Sequence, residues 1–267
     1  MSFLDLAKAY THISYETIKD RMHSKSVENL SEEDKQILSD LELNGVTVIP
    51  NYYSEEKCDQ IKSEIDNLIN DATVKKWVDK DGSDTRVYGA HNHSDKIMEF
   101  HKDQFLTRIG EQYTRCELIN SHTLGARLIP TPNNLGSGGG WHRDSVFRIQ
   151  YKSIVYLTDV TEENGPFEYI LGSHKVSTIY DSIKQNNFSA NQSRISDEQV
   201  EEFLKSNKML SNKLFTAKKG SVILVDTRGI HRGTPIKDGN RYALTNYFMP
   251  KHHYTKDVQK KWEDLIS

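Results

Sequence analysis

The segment Gly138-Gly-Gly-Trp-His142-Arg-Asp144-Ser sets one imidazole and one carboxylate two residues apart. In extended backbone, residues i and i+2 project to the same side, so His142 and Asp144 can face one metal ion. Alone the pair is a weak signal, because His-x-Asp is frequent by chance and a lone histidine is more often a core or surface residue than a ligand. A third donor, His231, stands in Asp226-Thr-Arg-Gly-Ile-His-Arg-Gly-Thr-Pro, just past the apolar run at 221–226. Two imidazoles and one carboxylate on one face of an octahedron leave three positions open, the donor set of non-haem iron(II) oxygenases. A bidentate 2-oxo acid fills two of these positions and O2 the third. Arg241, ten residues beyond His231, opens the alternating run Arg-Tyr-Ala-Leu-Thr-Asn-Tyr-Phe. Its guanidinium is suited to pair bidentately with the far carboxylate of 2-oxoglutarate, although a surface arginine on an edge strand is the commoner fate of this residue type.

These side chains need a rigid frame. From Cys116 onward the chain is a series of short β-rich runs, at 116–119, 123–129, 147–159, 167–171, 213–217, 221–226 and 241–249, separated by turn residues, which predicts a sandwich or barrel. Ahead of it lie a helical extension over 1–45, capped at Ser31-Glu-Glu-Asp34, a short strand at Val46–Pro50, and a helix capped by Ser54 with Ile61, Ile65, Leu68 and Ile69 at helical spacing. Residues 71–103 are polar and without period, so a surface loop region with room for substrate contacts is expected there. The polar stretch 175–212 reads as an insertion holding one helix, capped at Ser196-Asp-Glu-Gln199. The expected organisation is one domain over 1–267, with a core at 46–250. No βαβ alternation or phosphate-binding glycine loop is present, since Gly136-Ser-Gly-Gly-Gly140 matches neither pattern.

Composition excludes several classes of function. With 35 basic and 38 acidic residues spread along the chain, no basic field exists for nucleic acid or anionic lipid. The two cysteines, Cys58 and Cys116, are too few and too far apart for a disulfide framework or a zinc ribbon. No apolar run reaches the roughly 18 residues of a membrane span, and the first residues lack a signal pattern. A cytoplasmic protein acting on a small molecule is the expectation.

Taken together, Trp-His142-Arg-Asp144-Ser, Asn164-Gly-Pro-Phe-Glu-Tyr-Ile-Leu-Gly-Ser-His174-Lys, Gly220-Ser-Val-Ile-Leu-Val-Asp, and His231 followed by Arg241 resemble the phytanoyl-CoA dioxygenase family, a branch of the 2-oxoglutarate-dependent oxygenases. The resemblance spans roughly residues 45–250. It implies a mainly β, double-stranded β-helix (jelly-roll, cupin-like) fold with helical additions. It also implies iron(II) held by His142, Asp144 and His231, a 2-oxoglutarate salt bridge to Arg241, and O2 as co-substrate. Arg127, in Leu-Gly-Ala-Arg-Leu-Ile-Pro, is expected to reach cofactor or substrate, and Tyr151, Tyr156, Phe167 and Thr245 are candidates for the pocket wall. Related iron enzymes that halogenate replace the carboxylate by a small residue; Asp144 therefore favours hydroxylation or a related oxidation, desaturation and ring formation included, over halogenation. His91-Asn-His93 and His252-His253 have ligand-like spacing but lie in polar segments, where surface histidine is the expectation. His174, after a Gly-Ser turn, reads as structural or as a neighbour of the ligands. The rival readings are a cupin-like metalloenzyme that ignores 2-oxoglutarate and a non-catalytic β-sandwich binding protein.

Overall fold

The computed structural model describes residues 3–26 and 30–266. Helices α1 (Phe3–Met22) and α2 (Glu32–Asn44) come first, followed by strand β1 (Val46–Ile49) and helix α3 (Glu55–Asn70). Ser31 forms a full capping box with Asp34, and Ser54 caps α3, so the orphan amides of both helices are met locally. Strands β2 (Trp77–Val78) and β3 (Asp84–Tyr88) follow, then α4 (Asp95–His101) and α5 (Gln104–Thr114). The long strand β4 (Leu118–Leu128) leads to β5 (Tyr151–Tyr156) and β6 (Phe167–Ile170). Helices α6 (Val176–Asn186) and α7 (Asp197–Ser206) precede β7 (Asn212–Phe215), β8 (Val222–Asp226), β9 (His231–Gly233) and β10 (Arg241–Pro250); α8 (Lys256–Ile266) closes the chain.

The strands form two antiparallel sheets, one of seven strands ordered β1-β8-β5-β10-β4-β3-β2 and one of three ordered β7-β6-β9. This is the mainly β, double-stranded β-helix architecture with helices added. The period-2 alternation of the strands divides the molecule into layers. In β8, Val222 and Leu224 turn outward to α2, α3 and α5, while Ile223 and Val225 turn inward to face Phe167, Tyr169 and Phe215 of the small sheet. Both faces of β8 are covered, which is why its sequence is uniformly apolar. The outer layer is the larger one. It joins Ile61, Ile65 and Leu68 of α3, Phe100 of α4 and Ile109 of α5 to Tyr242, Leu244 and Phe248 of β10, each such side chain contributing roughly 1.5–3 kcal/mol by burial. A third cluster ties α1, α6 and α7 to Trp141 and Ile230, beside the predicted ligands.

Three expectations need correction. Residues 71–103 are not a loop region, because β3 is an integral strand of the large sheet and α4 packs on it. The polarity of β3 misled, since Asp84, Arg86 and Tyr88 face a polar cavity rather than an apolar core. The stretch 175–212 holds two helices, α6 as well as α7; α6 is rich in Ser, Thr and β-branched residues, whose helix propensity is modest. The separate runs at 116–119 and 123–129 are a single strand, β4.

Candidate metal centre

The glycine run ahead of His142 is a tight left-handed turn. Gly136, Gly138, Gly139 and Gly140 have φ of 73°, 88°, 70° and 86°, a region that L side chains rarely adopt. Space is as restrictive as conformation at Gly138, where a Cβ would lie 2.4 Å from His142 Cε1. The chain then runs antiparallel to the start of β9: the His142 amide donates to the His231 carbonyl and the His231 amide to the His142 carbonyl, each at 2.9 Å. The Asp144 amide donates to the Thr227 carbonyl at 3.0 Å. Two segments some ninety residues apart in sequence are thus stitched together by backbone, and their side chains inherit that registration.

One donor atom from each of His142, Asp144 and His231 lies within 4.8 Å of the other two. His231 Nε2 is 3.6 Å from Asp144 Oδ2, and His142 Nε2 is 4.0 Å from Asp144 Oδ1. Donors about 2.1 Å from one ion and at right angles to each other lie about 3 Å apart, so these two separations exceed that spacing by about an ångström or less. Both imidazoles are oriented for this role. His142 Nδ1 faces the Gly140 carbonyl at 2.9 Å and His231 Nδ1 the Gly229 carbonyl at 2.8 Å, contacts that place the ring proton on Nδ1 and leave the Nε2 lone pairs directed at Asp144. Burial, reinforced by the His142 ring, pushes His231 down to about 3, and burial also lowers His142, so both rings stay neutral. Burial by itself would raise the Asp144 carboxyl, yet the Lys152 ammonium 2.6 Å away holds it well below the usual range. Two neutral imidazoles and one carboxylate converging in this way fit a divalent first-row metal.

These groups open on a cavity of about 310 Å³ that lies over the inner face of the large sheet. Strand register arranges its floor in rows. Arg241 stands across from Leu128 and Asp84; Ala243 from Ala126 and Tyr156; Thr245 from Leu124 and Ile154; Tyr247 from His122 and Lys152. Arg241, Thr245, Tyr156 and Phe167 all line the cavity. Arg241 is 6% exposed, its Nη1 donates to the Gly165 carbonyl, and its Nε is buried without a partner. Among the described residues no carboxylate stands within ion-pair distance of it. By contrast Arg86, its neighbour in the cavity, is held by Asp84 through Nε and Nη2 at 3.0 and 2.6 Å.

Two expected site residues lie elsewhere. Arg127 is on the opposite face of β4 from Ala126 and pairs with Asp66 of α3 at 3.1 Å, so it does not reach the cavity. Tyr151 belongs to the helix-side core, where its hydroxyl donates to the Leu106 carbonyl. The parity rule already separated it from Tyr156, since residues an odd number apart on a regular strand face opposite ways. By the same rule Lys152 shares a face with Tyr156, and sequence reasoning passed over it as strand filler. Its ammonium sits 2.6 Å from Asp144 Oδ2 and 4.0 Å from the Tyr247 ring centre. Arg86, Tyr88, His122 and Trp262 also line the cavity and were missed. The histidines expected at the surface divide: His93 is exposed, but His91 is buried and stacked on His101 at 3.8 Å, and His253 is buried against Asp20. His174 is structural, buried with its Nε2 3.3 Å from the Glu42 carbonyl.

The family model for phytanoyl-CoA dioxygenase (PhyH) matches residues 41–241. A search of curated proteins by sequence gave no match. Among solved structures, the chain is similar to the non-haem α-ketoglutarate-dependent carbocyclase SnoK from nogalamycin biosynthesis, with a TM-score of 0.64 and 16% identity over 85% of this chain and 87% of that one. The epimerase SnoN, solved in complex with Fe3+, α-ketoglutarate and nogalamycin RO, gives 0.64 and 13%, over 82% and 84%. HygX from Streptomyces hygroscopicus, solved with nickel, 2-oxoglutarate and hygromycin B, gives 0.58 and 18%, over 83% and 88%.

Proposed function

The chain belongs to the phytanoyl-CoA dioxygenase family, and on that premise we propose that it is an iron(II)- and 2-oxoglutarate-dependent dioxygenase that hydroxylates a small organic substrate. The observation that carries this reading is the convergence of His142, Asp144 and His231 within 4.8 Å at the edge of a cavity whose floor also holds Arg241. With O2 and 2-oxoglutarate the metal supplies the oxidising power, releasing succinate and CO2. The protein supplies placement. His142 and His231 present Nε2 lone pairs because the Gly140 and Gly229 carbonyls occupy their Nδ1 atoms. Arg241 offers an uncompensated guanidinium in a dry setting, where a carboxylate gains most from a two-pronged hydrogen bond. Thr245 shares the cavity face of β10 with Arg241, in the row next to that of Tyr247 and Lys152, and is available to a ligand that extends along that face. Lys152 is the counterion of Asp144, its ammonium 2.6 Å from Oδ2. The aromatic side chains of Tyr88, Tyr156, Phe167 and Tyr247 wall the cavity and exclude water from the C–H to be oxidised. SnoN and SnoK, as epimerase and carbocyclase, are relatives in fold whose outcomes differ, in keeping with a chemistry set by how the substrate C–H is presented.

Under anaerobic conditions, iron(II) and 2-oxoglutarate should give the weak visible charge-transfer band of a chelated 2-oxo acid. His142→Ala should abolish the band. A wild-type protein that shows no band and releases no succinate in the presence of any substrate candidate rules the reading out.

A further inference from the structure

Besides Arg241 Nε, two polar atoms in the cavity wall have no hydrogen-bond partner among the described residues. His122 Nε2 and Trp262 Nε1 are both buried and unbonded, and both residues line the cavity beside Tyr247 and Lys152. His122 projects inward from β4 and packs its ring against Tyr247 at 4.3 Å and Trp262 at 4.2 Å. Its tautomer follows from its neighbour. The Ser121 hydroxyl donates its single proton to the Tyr247 carbonyl at 2.9 Å, so at His122 Nδ1, 3.0 Å away, it can only accept. The imidazole proton is therefore on Nδ1, and Nε2 is an acceptor. Burial keeps this ring neutral, with its pKa lowered to about 3. Trp262 Nε1 can only donate. The wall thus presents one acceptor and one donor from two rings in contact, both buried, an arrangement that is costly unless a ligand completes it.

The chemistry of the missing group is constrained on both sides. An alcohol hydroxyl donates to His122 Nε2 and accepts from Trp262 Nε1 at once. An ionised carboxylate or phosphate has no proton to give His122, and the cations at this end are already matched, Lys152 by Asp144 and Arg86 by Asp84. We infer that His122 and Trp262 form a specificity subsite for an uncharged hydroxyl group of the primary substrate. This rests on the reading above, that the cavity seats an organic substrate beside the metal. It also gives α8 a role, since Trp262 and Leu265 bring that helix to the cavity edge, and α8 has no fully buried residue that would hold it there for packing alone.

The test uses three probes on one ring: cyclohexanol, methoxycyclohexane and cyclohexanecarboxylate, with dissociation constants measured by ligand-observed NMR. Cyclohexanol should bind tightest, by about fivefold over methoxycyclohexane, which accepts but cannot donate. In His122→Phe that preference should vanish, whereas in Trp262→Phe both neutral probes should weaken alike. Tightest binding by the carboxylate, an unchanged preference in His122→Phe, or no binding of cyclohexanol overturns the subsite. The order of the probes in the unmutated protein decides even if a variant fails to fold. All titrations are run on metal-free protein and on the nickel(II)–2-oxoglutarate form. Failure of 2-oxoglutarate to bind then strikes the cofactor reading, while the probe order in metal-free protein still judges the subsite.

Discussion

Four cations line the cavity, and their partners sort their roles. Arg86 is neutralised by Asp84, Lys152 by Asp144, and Arg194, which is exposed, lies on the carbonyls of Gly138 and Gly139. Of these four, Arg241 alone is buried with no carboxylate at ion-pair distance among the described residues, and burial lowers its pKa, the mark of an uncompensated charge. Arg241→Lys keeps the charge but loses the planar fork, so the 2-oxoglutarate dissociation constant should rise about tenfold, and further in Arg241→Ala. Metal affinity measured by competition with a chelator should stay within about threefold, because Arg241 does not touch the three donors. A 2-oxoglutarate affinity unchanged in both variants would remove Arg241 from the site. His142, Asp144, His231 and Arg241 were readable from the sequence because their spacing is local or falls beside a strand of clear period. Arg127 was misread, and Lys152, His122 and Trp262 were passed over, because facing a cavity is a property of strand parity and cross-strand register. Neither is written in any single segment.

The elements that place these residues are secured by polar groups as much as by apolar ones. The turn between β8 and β9, which carries His231, is fixed by Asp226. Its carboxylate accepts from Arg228 Nη2 at 2.7 Å and from the Tyr113 hydroxyl at 2.8 Å, while its backbone carbonyl accepts from Tyr169 at 2.8 Å. Burial by itself would raise the Asp226 carboxyl, but the Arg228 charge and hydrogen bonds prevail and lower it. Asp226→Asn leaves Arg228 buried beside a neutral amide, a loss of about 3–5 kcal/mol, read as a lower urea midpoint with the slope unchanged. The sign of the pH effect follows. A carboxyl whose folded pKa lies below its unfolded value of about 3.9 contributes its full stability above that pH and loses it as pH falls through the folded value. The gap between wild type and Asp226→Asn should therefore be widest near neutrality and narrow below about pH 4; a gap independent of pH would show that Asp226 acts through packing. The sequence marked β8 clearly by its apolar run, but not β3, whose inward residues are charged because they face the cavity. The signal that finds a strand by its buried apolar face fails where the buried face is the functional one.

At the scale of the whole molecule, the candidate site is where its layers meet. His142 and His231 pair by backbone, Trp141 belongs to the cluster of α1, α6 and α7, and Lys152 rises from the large sheet to Asp144. A metal that binds this junction in the folded chain and not in the unfolded one must stabilise the entire fold. At a hundredfold excess over its dissociation constant the gain is about 2.7 kcal/mol, a rise in Tm of roughly 5–10 °C for a chain of this size. Nickel(II), which follows iron(II) in the order of rising affinity for such donors, is a suitable ion, and His142→Ala should lose the shift. Lys152 sharpens the expectation. In the metal-free protein its ammonium is the counterion of Asp144, and its pKa is raised because that carboxylate outweighs the burial. Lys152→Met leaves Asp144 without that partner and should lower the metal-free stability by about 2 kcal/mol, less than for a fully buried pair because 23% of the Asp144 side chain remains exposed. A dication supplies the missing positive charge, so the nickel-induced rise in Tm should be larger in Lys152→Met than in wild type. An equal or smaller rise would mean that Lys152 holds Asp144 in position for the ion rather than substituting for it, and would reverse the role assigned to this lysine.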